Sequence, residues 1–431
     1  MNERKDFFFL VFVLLLLVGF GKFVVEYERP QKVVIGREGL HASAGRSLDA
    51  SKTQILVKFK GSASPEKRSR VHAAHGLRPI QEIPGIDVMI VSVPEGANPR
   101  HVVDALNQNE SDSIEFAEPD MILEPTMVPN DAWYTNWQKD KEQINAPAAW
   151  DITTGSSAIV LAVVDSGVNC QHEDLSGTCV PGWNFYDNSG ETADVHGHGT
   201  AVAGVAAALG NNAVGVTGVA WQSKIMPLRV SDSSGRATYS AIASAISYAA
   251  NAGAKVANVS YQAGGSSAVQ RAASYLRSKG GLVVMSEGNS GTSTGYKNAT
   301  DIISVSAVDT ADVRYSWSSY GADVDVAAPG CTGATTYFGG GYGTFCGTSN
   351  AAPEVAGTLL LIWSANPDFS PEQVQNVLYN SASDLGAQGW DQYYGWGRVD
   401  VARALALSGQ FGSTPAATTT TEQPKKNPRS R

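Results

Sequence analysis

Ala158-Ile159-Val160-Leu161-Ala162-Val163-Val164-Asp165-Ser166-Gly167 is the stretch on which the fold turns. An unbroken apolar run, rich in β-branched residues and stopped by a turn signal, is the pattern of a strand buried on both faces, and such strands belong to parallel sheets. The pattern returns at 224–230, 255–260, 282–285 and 302–308, and Ala-rich segments with helical spacing intervene at 200–209, 239–252 and 266–279. Strand alternating with helix predicts right-handed crossovers and an α/β fold, a mostly parallel twisted sheet covered by helices on both faces. Ligands of such a sheet bind beyond the carboxyl ends of its strands. Asp165 stands at one such end, and Asn289 closely follows another.

Three short segments carry the chemistry. Asp165-Ser166-Gly167, His198-Gly199-Thr200 and Gly347-Thr348-Ser349 offer an acid, a base and a nucleophile in that order. A serine hydroxyl is a weak nucleophile at neutral pH; it needs an imidazole to take its proton and a carboxylate to orient the imidazole. The set therefore points to covalent acyl transfer. His198 and Ser349 each open a predicted helix, where backbone N–H groups are free. Taken singly, an Asp before Ser-Gly also reads as a turn residue, and Asn289-Ser290-Gly291 as an ordinary loop. His196 competes as the base, but only His198 begins Gly-Thr and the small-residue helix, so His196 reads as a loop histidine.

The chain of 431 residues, 43% apolar and 17% charged, is long enough for two or three domains with a large core. A net charge of −9 and a pI near 5.3, with no stripe of Lys and Arg, exclude a nucleic-acid partner. Four cysteines allow three pairings; the local one, Cys170 with Cys179 and Cys331 with Cys346, is expected of an exported chain, although free buried thiols would read the same. Arg4 and Lys5 precede an apolar run from Phe7 to Phe20, shorter than the roughly 20 residues that span a bilayer. Residues 1–25 are thus expected to be a removed signal peptide of a secreted protein; retention as a membrane anchor, with the run extended through Val25, is the alternative. A linker follows over 26–52. Residues 53–125 then alternate as a small βαββαβ unit. Its place ahead of the acyl-transfer domain suggests a prodomain, an intramolecular chaperone and inhibitor, over a plain accessory domain. Closing helices are expected at 370–381 and 398–407, and residues 409–431, rich in Thr, Pro and Lys, form a tail too polar to fold.

The segments Val163-Val164-Asp165-Ser166-Gly167, His196-Gly197-His198-Gly199-Thr200-Ala201-Val202-Ala203-Gly204 and Gly347-Thr348-Ser349-Asn350-Ala351-Ala352-Pro353 resemble the three active-site blocks of the subtilase family of serine proteases. The likeness runs from about 130 to 407, with thermitase-like and subtilisin-like secreted members nearest in character, and the order Asp, His, Ser is the subtilisin order. It implies Ser349 as nucleophile, His198 as general base and then acid, and Asp165 as the orienting carboxylate. Asn289, within Glu287-Gly288-Asn289-Ser290-Gly291, matches the oxyanion asparagine, a donor worth on the order of 10²–10³ in turnover. The resemblance makes Ser260, Tyr261 and Gln262 one wall of the pocket for the residue before the scissile bond, and Ser286, Glu287 and Gly288 the other. Gly235 lines the outer cleft, where an extended peptide adds as a strand.

The same resemblance implies a structural Ca²⁺ held by Asp131, Asp174, Asn212 and the carbonyls of Gly210, Val214 and Val216, a hard-cation set of oxygens. The alternative is a plain Asn-Gly-type surface loop. A second site near Asn184, Asp187 and Ser189 has lost carboxylates and is not expected to bind. No catalytic cofactor is implied. The expected partners are peptide or protein substrates and the chain's own prodomain; the catalytic domain, 127–408, is expected to be a monomer released by cleavage between Glu124 and Val128. Several residues depart from the family. Asn350 replaces an oxidisable methionine beside the nucleophile, Ala201 and Glu354 replace histidines, and Gln262 stands where glycine is usual. Gln262 should narrow or polarise the pocket and disfavour large aromatics, while Glu287 would favour basic side chains if it pointed inward. These departures motivate the other function class considered, a catalytically impaired protease-like binding protein. Asn109, Asn258 and Asn298 begin glycosylation sequons, Asn258 within an apparent core strand.

Overall fold

The computed structural model describes residues 50–122, 127–296 and 300–411. The signal segment, most of the linker, the centre of the expected cleavage segment, the sequon at Asn298 and the tail lie outside the described residues.

Residues 50–121 fold as expected into β1 (Ala50–Phe59), α1 (Pro65–Ala74), β2 (Arg78–Ile83), β3 (Val88–Ser92), α2 (Pro99–Asn109) and β4 (Ile114–Met121). The sheet order is β2-β3-β1-β4, with every pair antiparallel. Ile55, Val57 and Phe59 recur at every second position and meet Val71 of α1 and Leu106 of α2 in one buried core. Both helices start on side-chain caps. The Ser64 hydroxyl accepts from the Lys67 N–H ahead of Pro65, and the Asn98 oxygen accepts from the Arg100 N–H ahead of Pro99.

Three short helices follow, α3 (Tyr134–Trp137), α4 (Lys139–Gln143) and α5 (Ala146–Trp150). The main sheet then builds through β5 (Val160–Asp165), β6 (Trp183–Asn184), α6 (His198–Ala207), β7 (Lys224–Arg229), α7 (Tyr239–Asn251), β8 (Val256–Val259), α8 (Ser267–Ser278), β9 (Leu282–Ser286), β10 (Ile302–Val308) and β11 (Val324–Pro329). A hairpin, β12 (Cys331–Thr336) and β13 (Tyr342–Cys346), leads to α9 (Thr348–Ala365), α10 (Pro371–Ser381) and α11 (Val401–Phe411). The seven strands lie in the order β11-β10-β9-β8-β5-β7-β6, all parallel. β6, β11 and the hairpin are elements beyond those expected from the sequence.

The pleat sorts each central strand between two cores. Leu161 and Val163 of β5 join Val202 and Ala206 of α6 and Val355 and Leu359 of α9, whereas Ala162 and Val164 join Ile246 of α7 and Leu276 of α8. Helices therefore cover both faces, and the buried side of α8 (Val269, Ala272, Ala273, Leu276) has the i, i+3, i+4, i+7 spacing. All four cysteines are paired, Cys170 with Cys179 and Cys331 with Cys346.

Charge is buried beneath α9. Lys141 donates to Asp140 (3.0 Å) and to Glu354 (2.6 Å), all three side chains being inaccessible, and Thr332 donates to the other Asp140 oxygen (3.0 Å). Burial pushes the Glu354 carboxyl well up against the opposing pull of Lys141; burial alone would lower Lys141, but the two acids hold it above its ordinary value. Removing the shared cation leaves two buried acids facing each other. Lys141→Met is expected to cost about 3–5 kcal/mol in urea unfolding, and Glu354→Gln less than about 1.5 kcal/mol; equal losses in the two variants would contradict this account of the cluster.

Candidate active site

β5 delivers Asp165 to the carboxyl edge of the sheet, and α6 brings His198 against it. Nδ1 of His198 lies 2.9 and 3.0 Å from the two Asp165 oxygens, with the carboxylate fully buried. The approach is close because residue 199 is glycine: a Cβ there would stand 2.1 Å from the Gly167 carbonyl oxygen and 3.0 Å from Cβ of Asp165. Burial alone would depress the imidazole, but the Asp165 charge outweighs it and holds His198 above the usual histidine value, with a smaller contribution from Asp194. Phe345 packs edge-on against the ring at 5.3 Å, and Tyr261 lies at 6.4 Å.

Ser349 is the second residue of α9, and its hydroxyl donates to the Ser260 carbonyl at 3.3 Å. A hydrogen bond this long is weak and easily released. Pro353, four residues on, has no N–H for the Ser349 carbonyl, which accepts instead from the Ser260 hydroxyl (3.3 Å). Ser260 is held in turn by Nδ2 of Asn258 (2.9 Å), so the end of β8 is tied to the head of α9. Asn289 reaches the same place from β9: its side-chain oxygen accepts from the N–H (2.9 Å) and hydroxyl (3.0 Å) of Thr348. With that oxygen committed, the amide NH₂ end is the one available to donate elsewhere. Thr348 also accepts from the Gly288 N–H at 3.1 Å.

Two residues outside the sequence-derived set organise this arrangement. One is Thr348; the other is Asp194, whose carboxylate receives donors from the loop ahead of α6. An acid a few positions before a small-residue helix is a capping signal, and Asp194 stands four residues before His198. Asn350 donates to the Pro329 carbonyl at the end of β11 (2.9 Å), so the asparagine anchors α9 where methionine was the family expectation.

The expected pocket walls also meet. Tyr261 donates to the Gly235 carbonyl at 3.1 Å. Gly288 has φ +111°, and a Cβ there would lie 2.6 Å from Cδ and 2.7 Å from Oε1 of Gln262, so the Gln262 amide rests on the opposite wall. Glu287 does not carry the free charge considered from sequence. It is 2% exposed, and burial first, then Asp323 beside it, pushes its carboxyl up to about 9, which keeps it protonated at neutral pH.

The calcium candidates gather as well. Asp131 accepts from the Asn211 N–H (2.7 Å), and Asp174 accepts from the Asn212 amide (2.9 Å) and the Val216 N–H (2.8 Å). The loop between Gly210 and Val216 turns through left-handed Asn211 and Ala213, and the Val214 N–H donates to the Asn212 oxygen at 2.8 Å. Burial raises both acids, and Asp174 raises Asp131 further. Among the described residues neither is ion-paired to lysine or arginine, and no cluster of three or more His, Cys, Asp or Glu is suited to a metal. The Asn211, Asn212 and Val216 groups on the two carboxylates are N–H donors; what suits a hard cation is the pair of buried acids itself, both raised by burial. At the weaker expected site, Asp187 is satisfied by Arg229 at 3.1 Å.

The sequence pattern of the subtilase family matches residues 156–397, more than half of the chain, and that of the fervidolysin N-terminal prodomain matches 42–120. The chain belongs to the subtilase family. It is 35% identical to a thermophilic serine proteinase of Bacillus sp. (strain AK1), over 82% of this chain and 87% of that one. It is 40% identical to thermitase of Thermoactinomyces vulgaris, over 64% of this chain and 99% of that one. Crystallographic fervidolysin of Fervidobacterium pennivorans, a keratinolytic enzyme related to subtilisin, superposes with a TM-score of 0.55 at 25% identity, covering 84% of this chain and 62% of that one. The protein is a subtilisin-like serine endopeptidase with an N-terminal prodomain.

The raised Glu287 sets a pH signature. Its folded value lies above the ordinary 4.5, so the protonated form is favoured by folding and stability falls as pH rises from about 4.5 to about 9. Glu287→Gln should match the parent near pH 4 and exceed it by at least about 2 kcal/mol at pH 9; parallel stability curves for the two proteins across that range would refute this.

Proposed function

We propose that this subtilase is a secreted, self-processing endopeptidase in which Ser349, His198 and Asp165 form the catalytic triad. The observation that carries the reading is the contact of His198 Nδ1 with both Asp165 oxygens; the Ser349 hydroxyl, at the head of α9, donates to the Ser260 carbonyl and would turn to Nε2 of His198 for the reaction. His198 takes the Ser349 proton as the hydroxyl oxygen attacks the scissile carbonyl. The tetrahedral oxyanion is received by the Asn289 NH₂ and the Ser349 N–H at the positive end of α9. His198 then protonates the leaving amine, and a water molecule activated by the same imidazole hydrolyses the acyl-serine. Ser260, Tyr261 and Gln262 face Ser286, Glu287 and Gly288 across the pocket, with Gly235 in the outer cleft; Gln262 fills part of the pocket and selects against large aromatic side chains. Asn350 and Glu354 serve to anchor α9, so they give no support to a binding-only role.

The two disulfides suit an oxidising compartment and thus export. No helix among the described residues is long and apolar enough to cross a membrane. The enzyme is made as a zymogen, and its prodomain is removed by the chain's own activity between Glu124 and Val128.

Expression of the full chain beside Ser349→Ala tests the core of this reading. The parent is expected to release its prodomain and the variant to remain intact, with peptide hydrolysis lower by at least ~10⁴-fold. The parent's kcat/KM should rise through a titration above the ordinary histidine value of about 6.5, because only neutral His198 can accept the proton. Self-cleavage by Ser349→Ala would sink the assignment, and a peptide-library profile led by Phe and Trp before the cleaved bond would sink the pocket reading.

Asp131, Asp174, Asn212 and the carbonyls of Gly210, Val214 and Val216 would hold a Ca²⁺ whose contribution is structural, neutralising two buried acids. Ca²⁺ at 100 times its dissociation constant should then add about 2.7 kcal/mol to stability. Heat inactivation should shift downward in EDTA for the parent and not for Asp174→Asn; an EDTA-indifferent parent would contradict the site.

A further inference from the structure

The loop that carries His198 is gathered on one carboxylate. Asp194 Oδ1 receives the Ser166 hydroxyl (2.8 Å), the His196 N–H (3.0 Å) and the Gly197 N–H (2.8 Å); Oδ2 receives the Thr200 N–H (2.9 Å) and hydroxyl (2.5 Å). Both sides of the Asp165–His198 contact are therefore fastened to the same group. Ser166 adjoins Asp165, and its hydroxyl accepts from the Gly199 N–H at 3.0 Å. On the other side, Gly197 and Thr200 flank His198, and the Thr200 hydroxyl accepts from the Asn169 N–H at 3.0 Å. Gly197, the residue before α6, offers no side-chain cap, so Asp194 closes that helix end.

We infer that Asp194 is a positioning residue for the proton-transfer step, holding His198 in register with Asp165 and adding a second negative charge on the imidazolium side. This rests on the proposed role of His198. Its geometric part follows from the donors: five N–H and O–H groups converge on one carboxylate, which an amide cannot reproduce because its NH₂ would face further donors. Its electrostatic part follows from proximity. The groups that face His198 are Asp165 and Asp194, the His196 ring at 6.3 Å and Tyr261 at 6.4 Å, the last also feeling Asp232. Of the two carboxylates that raise His198, Asp194 can be removed without touching the direct partner.

The test measures prodomain release by the full chain, then kcat, KM and the pH profile of kcat/KM on a peptide substrate, for the parent, Asp194→Asn, Asp194→Glu and Ser349→Ala. Glu191→Gln, an exposed acid nearby, controls for general loss of charge. Misplacement of a reacting group is worth ~10²-fold, so Asp194→Asn should lose about that much kcat with KM within about threefold. Its acidic limb should also move to lower pH, because the imidazole has lost a stabilising charge. Glu191→Gln should behave as the parent. If Asp194→Asn does not fold, Asp194→Glu decides, with kcat reduced about tenfold or more and the acidic limb unmoved. A parent-like kcat in Asp194→Asn or Asp194→Glu overturns the inference, as does an Asp194→Asn loss of activity with an unshifted limb, which would mark a merely structural role. Parent hydrolysis that depends on Ser349 but not on Asp194 defeats this inference alone, whereas hydrolysis independent of Ser349 defeats the triad and with it this inference.

Discussion

The short contact between Nδ1 of His198 and the Asp165 carboxylate is the constraint around which the molecule is arranged. A buried carboxylate without a partner is costly, and here the partner comes from a helix that must approach the strand end almost backbone to backbone. The β5 run, the closing Ser166-Gly167 turn and the glycine after His198 all serve that approach. The alternation of β5 side chains between two cores fixes the strand from both faces, so Asp165 projects from an element with little freedom to shift.

The Ser349 side is held differently, by polar groups. α9 is buried along most of its length, and its head is fastened to three strand ends: Ser260 after β8, Asn289 after β9, and Pro329 of β11 through Asn350. Pro353 is tolerated in the first turns because Ser260 supplies the donor that the proline lacks. Further along, Lys141 and its two acids pin the helix from below. A buried ionic cluster is a poor source of net stability, and its effect is to fix one arrangement over others. A helix that carries the proposed nucleophile is a place where such specificity has use.

Much of this was legible in the sequence because it follows from period and punctuation. The five apolar runs became β5 and β7 to β10, the Ala-rich segments became α6 to α8, and the small βαββαβ unit appeared with its connections as read. What was not legible had other physical sources. β11 carries Asp325 as its second residue, which breaks an apolar reading, yet that acid is buried and accepts from the Ser304 N–H. β6 is two residues long and has no pattern to show. Asp194 left only a capping signal ahead of α6; its link to Ser166, 28 positions back, has no local pattern. For Glu287 the sequence could not tell a pocket-facing charge from a buried neutral acid, since both its burial and the approach of Asp323, 36 positions away, are made by the fold.

That neutral acid completes the electrostatics of the proposed reaction. Proton transfer to His198 creates a cation, and oxyanion formation creates an anion a few ångströms away; a field that helps one opposes the other unless the charges are kept apart. Negative charge is grouped on the β5–α6 side, at Asp165 and Asp194, where the imidazolium forms. The α9 side presents donors instead: the helix N-terminus and the Asn289 amide, whose oxygen is already occupied by Thr348. An ionised Glu287 two residues before Asn289 would set a third negative charge on the wrong side. Burial first, and then the negative charge of Asp323 beside it, keep it protonated, so Glu287 itself adds no negative charge next to Asn289 through neutral pH, and the donors at the head of α9 are what would meet the oxyanion.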